Sequence, residues 1–92
     1  MLLKRHNEAN TITAQRDRVM KQVQNFKKMY DSGWNFELCG IDDSGDLFEI
    51  CDALDDLSER ASELDMDWDT LMLIKRMGED ASRLADKLEE QE

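Results

Sequence analysis

The sequence predicts a mainly α, three-helix bundle-like domain, with a short irregular or β-like segment between the first and second helices. Apolar residues recur at helical spacing in three separate stretches. Proline is absent, so nothing interrupts those stretches from within. Gly33, Gly40 and Gly45, three of the four glycines, fall within thirteen residues and set the main break between the first two stretches.

The first helix is expected over about residues 8–31. Ile12, Val19, Val23, Phe26 and Tyr30 form one stripe on its surface, interrupted by Arg16. Asp31-Ser32-Gly33 supplies the stop, with Gly33 suited to a left-handed cap. Over 32–45 the alternation of Trp34, Phe36 and Leu38 with Asn35, Glu37 and Cys39 is strand-like. A lone strand has no edge to pair with, which favours an ordered loop that tucks Trp34 and Phe36 over the helices.

The second helix is expected over about 46–64, opened by Asp46 and Glu49 as a capping box. Its stripe is Leu47, Ile50, Leu54, Leu57, Ala61 and Leu64, three and four apart. The third, over about 67–89, takes Asp67 as N-cap and Met66 with Leu71 as a hydrophobic staple. Its stripe is Leu71, Ile74, Met77, Ala81, Leu84 and Leu88. Leu71-Met72-Leu73-Ile74 covers every face of one turn, so either the Trp34–Ile41 segment covers its back or Trp68 and Met72 meet a partner. The acidic tail from Glu89 to Glu92 opposes the helix dipole and is expected to fray.

Ninety-two residues make one domain, 1–92, with a thin core. No apolar run approaches the ~20 residues that cross a bilayer. Lys4, Arg5 and His6 follow Met1 to Leu3 at once, unlike a secretory signal. Cys39 and Cys51 lack metal-ligand spacing and read as free thiols in a reducing compartment. A cytoplasmic protein with no membrane association is the expectation.

The net charge of −10 is divided sharply. Residues 1–30 carry seven Lys and Arg against Glu8 and Asp17, a net +5, and residues 31–92 carry five against twenty carboxylates, a net −15. The basic helix is positioned by sequence to neutralise part of the acid internally, and the surplus must face solvent or a basic partner.

Catalytic constellations are missing from the sequence. His6 is the sole histidine, no glycine-rich phosphate loop occurs, and the carboxylates fall off the apolar stripes where nothing raises their pKa. Asp65-Met66-Asp67-Trp68-Asp69 opens like a calcium loop, but Thr70 and Arg76 stand where glycine and the bidentate Glu belong. Asp42-x-Ser44-x-Asp46 fails in the same way, with Leu47 and Ala53 at those positions. No catalytic residue, metal or cofactor is expected. Arg16, Arg18, Lys21, Lys27 and Lys28 could neutralise phosphates, but the acidic remainder would repel the same nucleic acid, which argues against direct binding.

The acidic second helix carries the functional expectation. Eight carboxylates from Asp46 to Asp65 face only Arg60, over a length of about 30 Å. That is roughly one charge per 4 Å, close to the ~3.4 Å phosphate spacing of one DNA strand. Like charges three and four apart destabilise an isolated helix, so a row this uncompensated suggests a cationic partner. Asp52, Asp55, Asp56, Glu59 and Glu63 are the expected steering charges, with Trp68, Met72 and Trp34 as apolar anchors. In size and charge alone the chain resembles small acidic helical proteins of phages and mobile elements, which imitate nucleic acid and inhibit restriction enzymes, CRISPR effectors or polymerases. That resemblance implies an inhibitor that docks on the basic site of a nucleic-acid-processing enzyme. The competing expectation is a self-associating structural or adaptor protein, whose seam is Leu47, Ile50, Leu54, Leu57, Ala61 and Leu64.

Overall fold

The computed structural model describes residues 2–92, with side chains from Thr11 onward. His6, the one candidate imidazole, therefore lies outside the described side chains. Four helices follow in order: α1 (Leu2–Asp31), α2 (Phe36–Cys39), α3 (Ser44–Glu63) and α4 (Trp68–Gln91). The fold is mainly α and bundle-like, with no strand among the described residues.

The centre of the molecule is an antiparallel hairpin of α3 and α4. Gly78 lies against Leu54, with 3.8 Å between the Leu54 Cβ and the position a Gly78 Cβ would take. α1 packs along one flank of this hairpin, parallel to α4. Thr70 and Met20 meet near one end, and Trp34 and Asp80 meet farther along. The core is Val19 and Val23 of α1, Trp34 and Ile41 of the connection, Leu47, Leu54, Leu57 and Ala61 of α3, and Ile74, Met77, Ala81 and Ala85 of α4. The apolar stripes read from the sequence thus supply most of the buried surface. The stripe of α1 is covered only from Val19 onward, and Ile12, on the same face two turns earlier, is 45% exposed.

α1 stops where Gly33 takes a left-handed conformation, φ +71°, as its position required. Trp34 follows at φ +56°, which a bulky residue adopts only when its surroundings hold it there. What holds it is burial to 2% exposure and an indole Nε1–H donated to Asp80 Oδ2 at 2.8 Å. The strand-like alternation after Trp34 resolves into a single helical turn, α2. Asn35 caps it by accepting the Leu38 N–H, and Gly40 closes it at φ +68°. Phe36 and Leu38 stay exposed while Trp34 and Ile41 are buried, so alternation in sequence did not mean alternation in burial.

The start of α3 lies upstream of the expected cap. Asp43 is the N-cap, accepting the Asp46 N–H, while Asp46 reaches back to accept the Asp42 N–H. The two bonds resemble a capping box shifted by one residue, since Asp46 accepts from Asp42 and not from the N-cap itself, and Glu49 is an exposed residue inside the helix. At the other end Asp65 sits at φ +56° and Met66 N–H bonds back to the Ala61 carbonyl, a Schellman closure with aspartate in the usual glycine position. Asp67 then stands at the N-cap position of α4, where its carboxylate accepts the Thr70 hydroxyl at 2.6 Å and no backbone N–H. The calcium-like run Asp65, Asp67, Asp69 is spent on ending one helix and starting the next.

The helix of the acidic tail extends to Gln91. The Glu92 carboxylate accepts both the Ser44 N–H and the Ser44 hydroxyl at 2.8 Å, at the first turn of α3. A charge disfavoured at its own helix C-terminus is favoured at the N-terminus of the antiparallel neighbour. Among the described residues no helix is long and apolar enough to cross a membrane.

Candidate functional site

The expected steering charges come together on one face. Asp52, Asp55, Asp56, Glu59 and Glu63 are all exposed and lie within an arc of about 100° on the outer side of α3, at 100° per residue. They span about 16 Å along the axis. Leu47, Leu54, Leu57 and Ala61 occupy the opposite side and are buried against the hairpin partner and α1. The arc is therefore a consequence of the core: once the stripe is seated, the carboxylates point outward.

Internal neutralisation of this face is weaker than the charge division suggested. Both ion pairs among the described residues lie within one helix, Lys27–Asp31 in α1 at 2.8 Å and Arg60–Asp56 in α3 at 3.3 Å. No ion pair there joins α1 to α3 or α4. Arg16, which broke the stripe of α1, donates its Nε–H to the Leu64 carbonyl at 3.0 Å. A guanidinium at the C-terminal end of α3 satisfies an orphan carbonyl and complements the helix dipole. Arg18, Lys21, Lys27 and Lys28 remain exposed.

The three apolar anchor candidates separate. Trp68 is 71% exposed at the start of α4, five residues after Glu63 and so at the same end of the hairpin. Met72 follows one turn later on the outward side and is half-buried. Trp34 is no surface anchor, because its ring is enclosed in the core and stacks edge-on to Tyr30 with centroids 6.0 Å apart. The four-residue apolar turn is resolved the same way. Ile74 is buried, Leu71 and Leu73 pack on the core, and Met72 is left beside Trp68. Trp34 meets α4 at Asp80, beyond that turn, so it does not cover the back of Met72.

No family model matches the chain, and the comparisons with curated proteins and solved structures found no match. The chemistry of the site has to be read from its own residues.

Two features escaped the sequence reading. Phe48 stands on the same arc of α3 as the carboxylates and is 37% exposed; an aromatic directly after the stripe residue Leu47 was the available signal. The second is a groove of about 590 Å³ between α3 and α4, on the flank away from α1. Small residues open it: Cys51 and Ser58 on α3, Gly78 and Ser82 on α4, at spacings of seven and four that share a helix face. The Cys51 Sγ–H points at the Gly78 carbonyl, 3.9 Å away. Burial, and then the carboxylates of Asp55, Asp52 and Asp86, push the Cys51 thiol above its ordinary 9.0. Cys39 borders a different cleft with Phe26 and Ile50, on the other side of α3, and both thiols are free. Among the described residues no group of His, Cys, Asp and Glu has the geometry to hold a metal ion.

Proposed function

We infer that this protein works by binding, as a small acidic inhibitor that docks the outer face of α3 on a basic protein surface and blocks it. The observation that carries this reading is the exposed arc of Asp52, Asp55, Asp56, Glu59 and Glu63, which receives no cation from α1 or α4 among the described residues. A carboxylate row of this density matches the charge a nucleic-acid-processing enzyme is built to receive, so such a site is the target class. An antagonist of a restriction enzyme, CRISPR effector or polymerase, of the kind phages and mobile elements deploy, fits that chemistry. The carboxylates steer and select, and Trp68 with Met72, or Phe48 on the arc itself, supplies apolar contact that slows dissociation.

Of the seam expected for an adaptor, Leu47, Leu54, Leu57 and Ala61 are buried within the chain's own bundle, and Ile50 and Leu64 are half-buried against it. The test is capture from host lysate by wild type and by Asp55→Lys/Glu59→Lys, two exposed changes that leave the core intact. A nucleic-acid enzyme retained by wild type, released by excess duplex DNA and lost by the variant supports the reading. Equal capture by a variant with unchanged helical circular dichroism removes it.

A further inference from the structure

We propose that two copies of this chain associate face to face, the basic outer strip of α1 in each lying along the acidic arc of α3 in the other. The first observation is a row of cations beside a row of anions. Arg18, Lys21, Asn25 and Lys28 are exposed and lie within an arc of about 80° on α1, turned away from the buried Val19 and Val23. Arg18, Lys21 and Lys28 form no ion pair among the described residues, whereas Lys27 is held by Asp31 and Arg16 by the Leu64 carbonyl. On α3, Asp52, Glu59 and Glu63 are exposed and without an ion pair there, and Asp56 holds only Arg60. Neither strip cancels its own charge. Asp17 stands at the edge of the first against three cations, and Arg60 on the second against four carboxylates.

The second observation is that the strips lie side by side without facing each other. α1 and α3 share one cleft lined by Gln15, Arg18 and Gln22 with Arg60, and another lined by Gln22 and Phe26 with Asp56. Both strips look out of the same side of the molecule, and the seam beside Arg18 is lined by glutamines and Arg60. A second copy can offer each strip what its own chain does not.

Symmetry and register join them. A two-fold axis parallel to the helices and set over the seam carries α1 of one copy onto α3 of the other. Rotation about such an axis leaves every residue at its own level. Those levels are fixed inside the chain, where Arg16 reaches Leu64, Gln22 stands beside Asp56 and Arg60, and Phe26 beside Ile50 and Ala53. Arg18 therefore comes over Glu59 and Glu63, Lys21 over Asp56 and Glu59, and Lys28 over Glu49 and Asp52. The lengths agree, about 15 Å from Arg18 to Lys28 and about 16 Å from Asp52 to Glu63. One operation makes both contacts, so the pairing is isologous and closes at two copies. Two chains of net charge −10 repel at long range. At about 100 mM salt that repulsion is screened beyond about 10 Å, whereas pairs enclosed in the contact are screened much less. This association involves no third protein, so it stands or falls apart from the inhibitor reading.

Sedimentation velocity of the full chain at about 100 mM and about 1 M salt is the test. Wild type sediments as a concentration-dependent dimer at the lower salt and as a monomer at the higher. Lys21→Glu/Lys28→Glu and, separately, Asp52→Lys/Glu59→Lys each weaken dimerisation about thirtyfold or more, because every reversed pair occurs twice in the dimer. An equimolar mixture of the two variants dimerises again, since each supplies the charges that the other now matches. Arg76→Glu/Lys87→Glu, at exposed positions of α4, changes the net charge as much as the first variant does and leaves dimerisation unchanged. Helical circular dichroism reports that each variant is folded. A wild-type chain that stays monomeric up to about 1 mM at the lower salt overturns the proposal. So does a dimer that survives either reversal, an assembly that grows beyond two copies, or a mixture that stays monomeric.

Discussion

Replacing Asp80 with alanine is expected to loosen the whole connection between α1 and α3. Trp34 is 2% exposed, and among the described residues its indole Nε1–H donates to Asp80 Oδ2 at 2.8 Å. Alanine at position 80 leaves that donor buried without an acceptor. A hydrogen bond to a charged group contributes about 1.5–3 kcal/mol, and an unsatisfied buried donor costs about 1–3 kcal/mol. The left-handed backbone of Trp34 adds to the effect, because the tethered ring is what holds it at φ +56°. A loss of about 2 kcal/mol follows, which lowers Tm by about 8–16 °C in a domain of this size. Asp80→Asn keeps an acceptor and should lose only about half as much. The assay is thermal and urea unfolding in a Trp68→Phe background, where Trp34 is the sole tryptophan and its emission reports directly on the enclosure of the ring. An Asp80→Ala loss below about 0.5 kcal/mol, the range of ordinary surface substitutions, would refute the tether.

Three further outcomes follow from the same packing. Gly78→Ala should stabilise the chain by about 0.5–1 kcal/mol in urea unfolding, since a methyl group there meets only the Leu54 Cβ at 3.8 Å and removes a helix-interior glycine. Glu92→Ala should cost about 1 kcal/mol and expose the amides of the first turn of α3 to hydrogen exchange, because the carboxylate on Ser44 N–H and Oγ serves as a cap. In a Cys39→Ser variant, Cys51 should alkylate several-fold more slowly in native than in denatured protein at mildly alkaline pH. Its raised thiol pKa also makes stability fall as pH rises past about 9.0, where the unfolded thiol ionises first, and Cys51→Ala should flatten that slope.

The three long helices were legible because their information is local and periodic. Leu47, Leu54, Leu57 and Ala61 declare an inward face at 3.6-residue spacing whatever they pack against, and the outward acidic arc is the complement of that face. Glycine at position 33 announced its left-handed cap for the same reason, since the conformation is a property of one residue. The cap of α3 was displaced because Asp42, Asp43 and Asp46 all have capping chemistry, and only the path of the incoming chain selects among them. Where a residue's fate depended on a distant neighbour, local pattern failed. Trp34 looked like a candidate anchor until Asp80, forty-six positions away, gave its indole a partner inside the fold.

The sequence by itself determined the helical class, the inward stripes, the break around Gly33 to Gly45 and the charge division between basic α1 and the acidic remainder. These are sums over neighbouring residues, and no tertiary contact is needed to evaluate them. Tertiary structure alone decided that Arg16 completes the end of α3, that Glu92 caps its start, and that Trp34 is enclosed while Trp68 is exposed. It also decided that the basic helix forms no described ion pair with the acidic face, and that one flank of the hairpin is left open. Each of these depends on where helix ends and faces meet in space. Antiparallel packing turns a charge unfavourable on one helix into a cap on the next, and connectivity sets which stripe finds a partner and which is left without one.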